Sequence, residues 1–108
     1  MGFCFSKPNK KKILEENREL IEGNARMLSV CKELATEKLG GDIDEVYAAV
    51  KYMTPIAVAG AIQADKKINA LAGDLKIALS KGNDRGLLQA EDIIRNLKIA
   101  IAERNSYC

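Results

Sequence analysis

The sequence predicts an all-α fold, an antiparallel helical bundle of three long helices and one short helix. Helix-favouring residues dominate the 108-residue chain, and proline occurs only twice. Apolar residues recur with helical periodicity along most of the chain. Short turn sequences separate these periodic stretches, and long helices joined by short loops fold back antiparallel. We see no strand pattern and no internal repeat.

The first helix is predicted to run from about Asn9 to Leu39, where the pair Gly40-Gly41 ends it. Its apolar side chains occur in pairs that repeat every seven residues, and this spacing keeps them on one helical face. These pairs are Ile13 and Leu14, Leu20 and Ile21, Met27 and Leu28, and Leu34 and Ala35.

A shorter second helix is predicted to begin at Asp42 or Asp44, either of which is a favourable N-cap. Thr54 and Pro55 are then predicted to be the N-cap and first residue of a third helix, because proline is well tolerated at that position. This third helix is expected to continue to about Lys81.

A turn is predicted at residues 81–86, KGNDRG, followed by a last helix from Leu87 to Glu103. Two glycines inside predicted helices, Gly23 and Gly73, are expected where helices cross closely, because glycine otherwise destabilises a helix.

The charge distribution divides the chain into a basic N-terminal arm, residues 1–12, and a single helical-bundle domain, residues 13–108. The net charge is only +2. The arm nevertheless contains four lysines and no acidic residue, which makes it a candidate for contact with an anion or a membrane surface. The four lysines are Lys7, Lys10, Lys11 and Lys12.

The first six residues match the pattern M-G-x-x-x-S of N-myristoylation, which makes Gly2 a candidate lipidation site. Cys4 is a candidate for a second acyl chain, and stable anchoring generally requires two such signals. Phe3 departs from the pattern, because the position after the glycine usually holds a small residue. The alternative is an unmodified basic arm.

The composition excludes most catalytic chemistry. The chain has no histidine, so the usual base for a serine or cysteine nucleophile is missing. No cysteine spacing suits zinc, and no glycine-rich phosphate loop is present. We therefore expect a protein that is not an enzyme and binds no metal or cofactor. The odd number of cysteines and the lack of a visible secretory signal predict an intracellular, cytoplasmic location, with peripheral membrane attachment as an option.

Two asparagines, Asn17 and Asn24, lie at the centre of the first helix's apolar stripe and are predicted to be buried. A buried amide without a partner costs about 1–3 kcal/mol, so each must find one. Such residues fix the register of a bundle or lie on a half-exposed seam, or they line a small pocket or face a partner.

Several apolar residues point away from the predicted core seams and are candidate interface residues. The segment 55–64, PIAVAGAIQA, is apolar on every side, so it is either the centre of the bundle or covered by a partner. The candidates are Val58, Ile62, Ile77, Leu88 and Ile99.

These patterns predict a non-enzymatic interaction protein that binds a protein partner or itself. A nucleic-acid partner is not expected, because basic and acidic residues are interleaved on the last helix. One alternative is a structural subunit of a larger assembly, such as a viral or phage particle. Another is a small immunity or inhibitor protein, since the size and layout resemble those of bacteriocin immunity proteins at the level of architecture.

Overall fold

The computed structural model describes residues 10–35 and 37–107, and within these ranges the chain forms four α-helices and no strand. The predicted all-α bundle of three long helices and one short helix is therefore confirmed. The helices are α1 (Lys10–Leu34), α2 (Glu37–Lys51), α3 (Ala59–Ser80) and α4 (Asp84–Asn105).

The helices alternate in direction, and α3 packs against both α1 and α4. Successive helices are antiparallel, whereas α1 and α3 run parallel, as do α2 and α4. Lys98 of α4 links this second pair through contacts of 3.1 Å to Asp42 and 3.2 Å to Glu45. The hydrogen bond to Asp42, and then that to Glu45, raises the pKa of Lys98 above its ordinary value.

Each helix directs one narrow apolar stripe into a common core. On α2 the buried residues follow a spacing of four, three and four residues, which keeps them on one face. The core includes Ile21, Leu28, Ile43, Val46, Val50, Ile68, Leu75, Ile94, Leu97 and Ile101.

The boundary between the first two helices differs from the prediction. The first helix ends at Leu34 and not at Leu39, and α2 continues through Gly40-Gly41 without interruption. Helical glycines cost only about 1 kcal/mol each, so burial of an apolar stripe can outweigh them. That stripe begins at Leu39, which is 3% exposed, so α2 must already be helical before the glycines.

The predicted N-cap at Thr54 is also wrong, because α3 begins at Ala59 after an irregular stretch. Residues 52–58, here called the crossing segment, connect α2 to α3 across one end of the bundle. Since α2 and α3 do not pack against each other, a tight turn cannot join them.

A turn forms within the predicted stretch but is confined to residues 81–83, because α4 begins three residues earlier than Leu87, at Asp84. Gly82 has φ +64°, a conformation that favours glycine. Asn83 is the N-cap, and its side chain accepts a 2.8 Å hydrogen bond from the Gly86 backbone N–H.

The close helix approach occurs at Gly86 and not at the two glycines that the sequence indicated. A Cβ atom on Gly86 would lie 2.5 Å from the backbone oxygen of Ala78. At Gly73 a Cβ would meet nothing within 4 Å, and at Gly23 it would only approach the end of the Arg26 side chain at 3.9 Å.

Candidate functional site

A cluster of fully buried polar side chains lies beneath the crossing segment. Asp65 of α3 accepts a 3.2 Å hydrogen bond from Nε of Arg104 on α4, and both side chains are 0% exposed. The Asp65 Oδ2 atom that accepts this bond also accepts one from Nδ2 of Asn17 on α1. The cluster therefore joins three helices through one carboxylate oxygen.

The same cluster holds the backbone of the crossing segment. Nη2 of Arg104 donates to the Thr54 carbonyl at 2.8 Å and to Oδ1 of Asn17 at 2.9 Å. Oδ1 of Asn17 also accepts the Ile56 backbone N–H at 2.8 Å. Two backbone groups that have no helical partner are thus satisfied by side chains from α1 and α4.

A second buried amide extends the cluster along the interface between α1 and α3. Nδ2 of Asn24 donates to the Asp65 backbone oxygen at 3.0 Å, and its Oδ1 accepts from Nδ2 of Asn69 at 2.9 Å. Asn17 and Asn24 are both 0% exposed, and each bonds to residues of α3. The amides therefore fix the register of α1 on α3.

The cluster combines a buried ion pair with one unpartnered carboxylate oxygen. Among the described residues, Oδ1 of Asp65 is the buried side-chain oxygen that has no hydrogen-bond partner. No group of three or more cysteine and acidic side chains within residues 10–35 and 37–107 is placed to hold a metal ion. A buried ion pair costs desolvation, and its best-attested benefit is a unique alignment of the elements that it joins.

Sequence analysis missed Asp65 and Arg104, although both continue an apolar stripe in phase. Asp65 lies four residues after the buried Ala61 and three before the buried Ile68. Arg104 lies three residues after the buried Ile101. Two opposite charges that each occupy a core position on long helices are the signal that indicates a buried pair.

The candidate interface residues are not all exposed. Ile62 is only 7% exposed, which agrees with the bundle-centre alternative for this residue and not with an exposed interface position. It lies three residues, or nearly one helical turn, before Asp65, whose side chain bonds to Asn17 of α1. Since α3 is covered by α1 on one side and α4 on the other, Ile62 falls within the covered arc.

The other four candidates are exposed, but they lie on different elements. Val58 ends the crossing segment and is 39% exposed, whereas Ile77 on α3 is 62% exposed. Leu88 and Ile99 on α4 are 67% and 56% exposed. Of these four residues, only Leu88 and Ile99 share one helical face, because they are 11 residues apart and 11 residues correspond to about three turns.

The outer face of α4, defined here as Leu88, Asp92, Arg95 and Ile99, lies opposite the buried stripe of that helix. These four positions follow one another at intervals of four, three and four residues, which is the spacing of a packing seam. Asp92 and Arg95 form an exposed ion pair with an Oδ1–Nη1 distance of 3.4 Å. Ile77 borders this face across a shallow groove that Asp92 and Asn96 also line.

The six residues singled out in the predicted arm fall into two groups. Gly2, Cys4 and Lys7 lie outside the described residues. The first turn of α1 consists of Lys10, Lys11 and Lys12, so these lysines are helical and all three are exposed. Their ammonium groups therefore lie on a helix that leads directly to Asn17.

Cys31 is a buried residue of the core. Its thiol lies 3.7 Å from the backbone oxygen of Ala72, to which it donates. Burial raises the pKa of the Cys31 thiol to about 11, with a smaller opposing effect from the charge of Lys76. The thiol is therefore protonated at neutral pH and unsuited to nucleophilic chemistry.

Within residues 10–35 and 37–107, no helix has both the length and the apolar character needed to cross a membrane. Comparison of the chain with protein-family models, with curated protein sequences and with solved structures finds no match. The functional proposals below therefore depend on the chemistry of the chain's own residues.

Proposed function

We propose that this chain is a non-enzymatic helical interaction protein that binds a protein partner, or a second copy of itself, through the outer face of α4. The observation that carries the proposal is the alignment of Leu88 and Ile99, which are 67% and 56% exposed on one face. Single exposed apolar side chains are common on soluble domains, but two aligned on a packing seam favour a contact surface.

The buried polar cluster supports this proposal by holding α4 in place. Arg104 joins α4 to Asp65 of α3, to Asn17 of α1 and to Thr54 of the crossing segment. On the α2 side, Lys98 contacts Asp42 and Glu45. A helix anchored on both sides presents its outer face with little conformational freedom left to lose on binding.

Site-specific photo-crosslinking in cells that make the protein tests this function. A photoreactive residue at position 88 or 99 is expected to give a discrete crosslinked species. The same probe in place of Glu16, an exposed residue of α1, is the matched control and is expected to give none. Equal crosslinking from all three positions, or none from positions 88 and 99, would contradict the proposal.

The same experiment separates the alternative functions. Products at successive multiples of the chain mass would favour a structural subunit of a larger assembly, viral or phage. One product with a single different protein would favour an immunity or inhibitor protein. A product of two chains would favour self-association.

A peripheral membrane contact through the N-terminal arm is a second proposal. It is supported by the exposure of Lys10, Lys11 and Lys12 on the first turn of α1. Each lysine close to an anionic surface contributes about 1 kcal/mol to binding. Intact-mass measurement on protein from its native source tests acylation of Gly2 and Cys4, and co-sedimentation with anionic vesicles tests the lysines.

A further inference from the structure

We infer that the partner of the outer face of α4 is a second copy of this chain, with the two α4 helices antiparallel and related by a two-fold axis. The inference rests on the proposed function, because it names the partner of the same surface. It is carried by the order of the four residues along that face, Leu88, Asp92, Arg95 and Ile99.

The order of these residues is self-complementary about the peptide bond between Ile93 and Ile94. Leu88 lies as far before this midpoint as Ile99 lies after it, and Asp92 and Arg95 are likewise equidistant from it. A two-fold axis through the midpoint therefore places Leu88 opposite Ile99 of the second copy. It also places Asp92 opposite Arg95 of the second copy, and symmetry repeats both contacts.

The charges select the antiparallel arrangement over the parallel one. In a parallel pair of α4 helices each residue would face its own copy, so Asp92 would oppose aspartate and Arg95 would oppose arginine. Like charges placed opposite each other are unfavourable. In the antiparallel arrangement every central charge faces its opposite, and the apolar residues still meet.

The edge of the same face supports the same register. Arg85 and Glu103 are 18 residues apart, which is five full turns, so both lie on one edge of α4. In the same antiparallel register, Arg85 of one copy lies within one residue of the position that faces Glu103 of the other copy. The two side chains carry charges of opposite sign. Within one chain the Glu103 side chain contacts Lys67 at 3.4 Å, and both side chains are more than half exposed, so Glu103 stays accessible to Arg85 of the second copy.

The size of the surface predicts a weak, reversible dimer. One exposed face of a 22-residue helix buries less area than the roughly 1,200 Å² at the lower limit of stable complexes. The ion pair between Asp92 and Arg95 within one chain is highly exposed and contributes little, so its exchange for pairs between chains has a small cost. We therefore expect dissociation in the micromolar range or above.

Two single charge reversals, Asp92→Arg and Arg95→Asp, test the inference by sedimentation equilibrium. Each variant presents charges of one sign on its outer face, so each is expected to self-associate at least about tenfold more weakly than the wild type. An equimolar mixture of the two is expected to form a dimer, because every central charge then faces its opposite. The double variant Asp92→Arg/Arg95→Asp is expected to recover self-association.

The matched controls are Arg18→Asp and Glu19→Arg, which make the same charge changes on exposed positions of α1. They are expected to self-associate like the wild type. The inference is overturned if the wild type stays monomeric at millimolar concentration, if the single variants still pair, or if their mixture does not. Position-specific crosslinks from 88 and 99 to a different protein would then leave the proposed function standing.

Discussion

Asp65 of α3 and Arg104 of α4 form an ion pair in which neither side chain is accessible to solvent. Each side chain also bonds to Asn17 of α1, so one pair of charges aligns three helices. The pair lies at the end of the bundle where the chain crosses from α2 to α3, and Arg104 holds that crossing through the Thr54 carbonyl. The position of α4, and hence of its outer face, depends on this contact.

Replacement of Arg104 by methionine is expected to lower the free energy of unfolding by about 3–5 kcal/mol, because it leaves the Asp65 charge buried without its partner. Denaturant unfolding measures this change. The control is Lys67→Met, which removes an exposed ion pair at 3.4 Å and is expected to cost less than about 0.5 kcal/mol.

The double variant Asp65→Leu/Arg104→Met separates the ion pair from simple packing. It removes both charges, so it is expected to recover part of the stability that Arg104→Met loses. Equal losses in Arg104→Met and Lys67→Met would show that the buried pair does not align the bundle.

Replacement of Asn17 by alanine is expected to loosen the crossing segment. The Ile56 N–H would lose the acceptor that it has at 2.8 Å, so its hydrogen exchange should accelerate relative to amides within α3. Asn69→Ala is the control, because the Asn69 side chain donates its hydrogen bond to Asn24 of α1 and not to the crossing segment. Unchanged protection of Ile56 in Asn17→Ala would refute this role.

Two glycine replacements are expected to change stability in opposite directions. Gly86→Ala should destabilise the fold by about 1–3 kcal/mol, because its Cβ would lie 2.5 Å from the Ala78 backbone oxygen. Gly73→Ala should stabilise it by about 0.5–1 kcal/mol, because alanine favours the helix and its Cβ meets nothing within 4 Å. Thermal unfolding of both variants checks the signs, and the same sign for both would disprove the close packing at Gly86.

Cys31 is expected to resist alkylation in the folded protein, as measured in a variant that replaces Cys4 and Cys108 by serine. The pKa of the Cys31 thiol rises from 9.0 to about 11 on folding. Between these two pH values the folded state therefore retains the thiol proton, whereas the unfolded state loses it. The contribution of Cys31 to stability is therefore full below pH 9 and is lost as the pH rises towards 11. Rapid alkylation under native conditions at pH 8 would contradict this burial.

The all-α bundle was predictable because helical periodicity is strong along most of the chain. The central positions of Asn17 and Asn24 followed from the same periodicity. The burial of Asp65 and Arg104 did not follow from it, because a charged residue in phase with an apolar stripe is normally assigned to the edge of a helix. Only the packing of α3 against α4 brings these two positions together and makes both charges acceptable in the core.

Local signals failed where tertiary packing outweighed them. Gly40-Gly41 is a favourable helix end, yet the burial of Leu39 extends α2 across it. Thr54 and Pro55 are a favourable helix start, yet the chain must first cross between two helices that do not touch. The apolar surroundings of Ile62 were equally consistent with core and interface, and only the arrangement of α1 and α4 around α3 decided for core.

The most direct test of the contact surface on α4 is a dilution series of amide NMR spectra from millimolar to micromolar concentration. Concentration-dependent shifts are expected for Leu88, Asp92, Arg95 and Ile99 and for their neighbours on that face, whereas amides of α1 should not shift. Shifts confined to another surface, or spectra that are identical at every concentration, would contradict self-association through the outer face of α4.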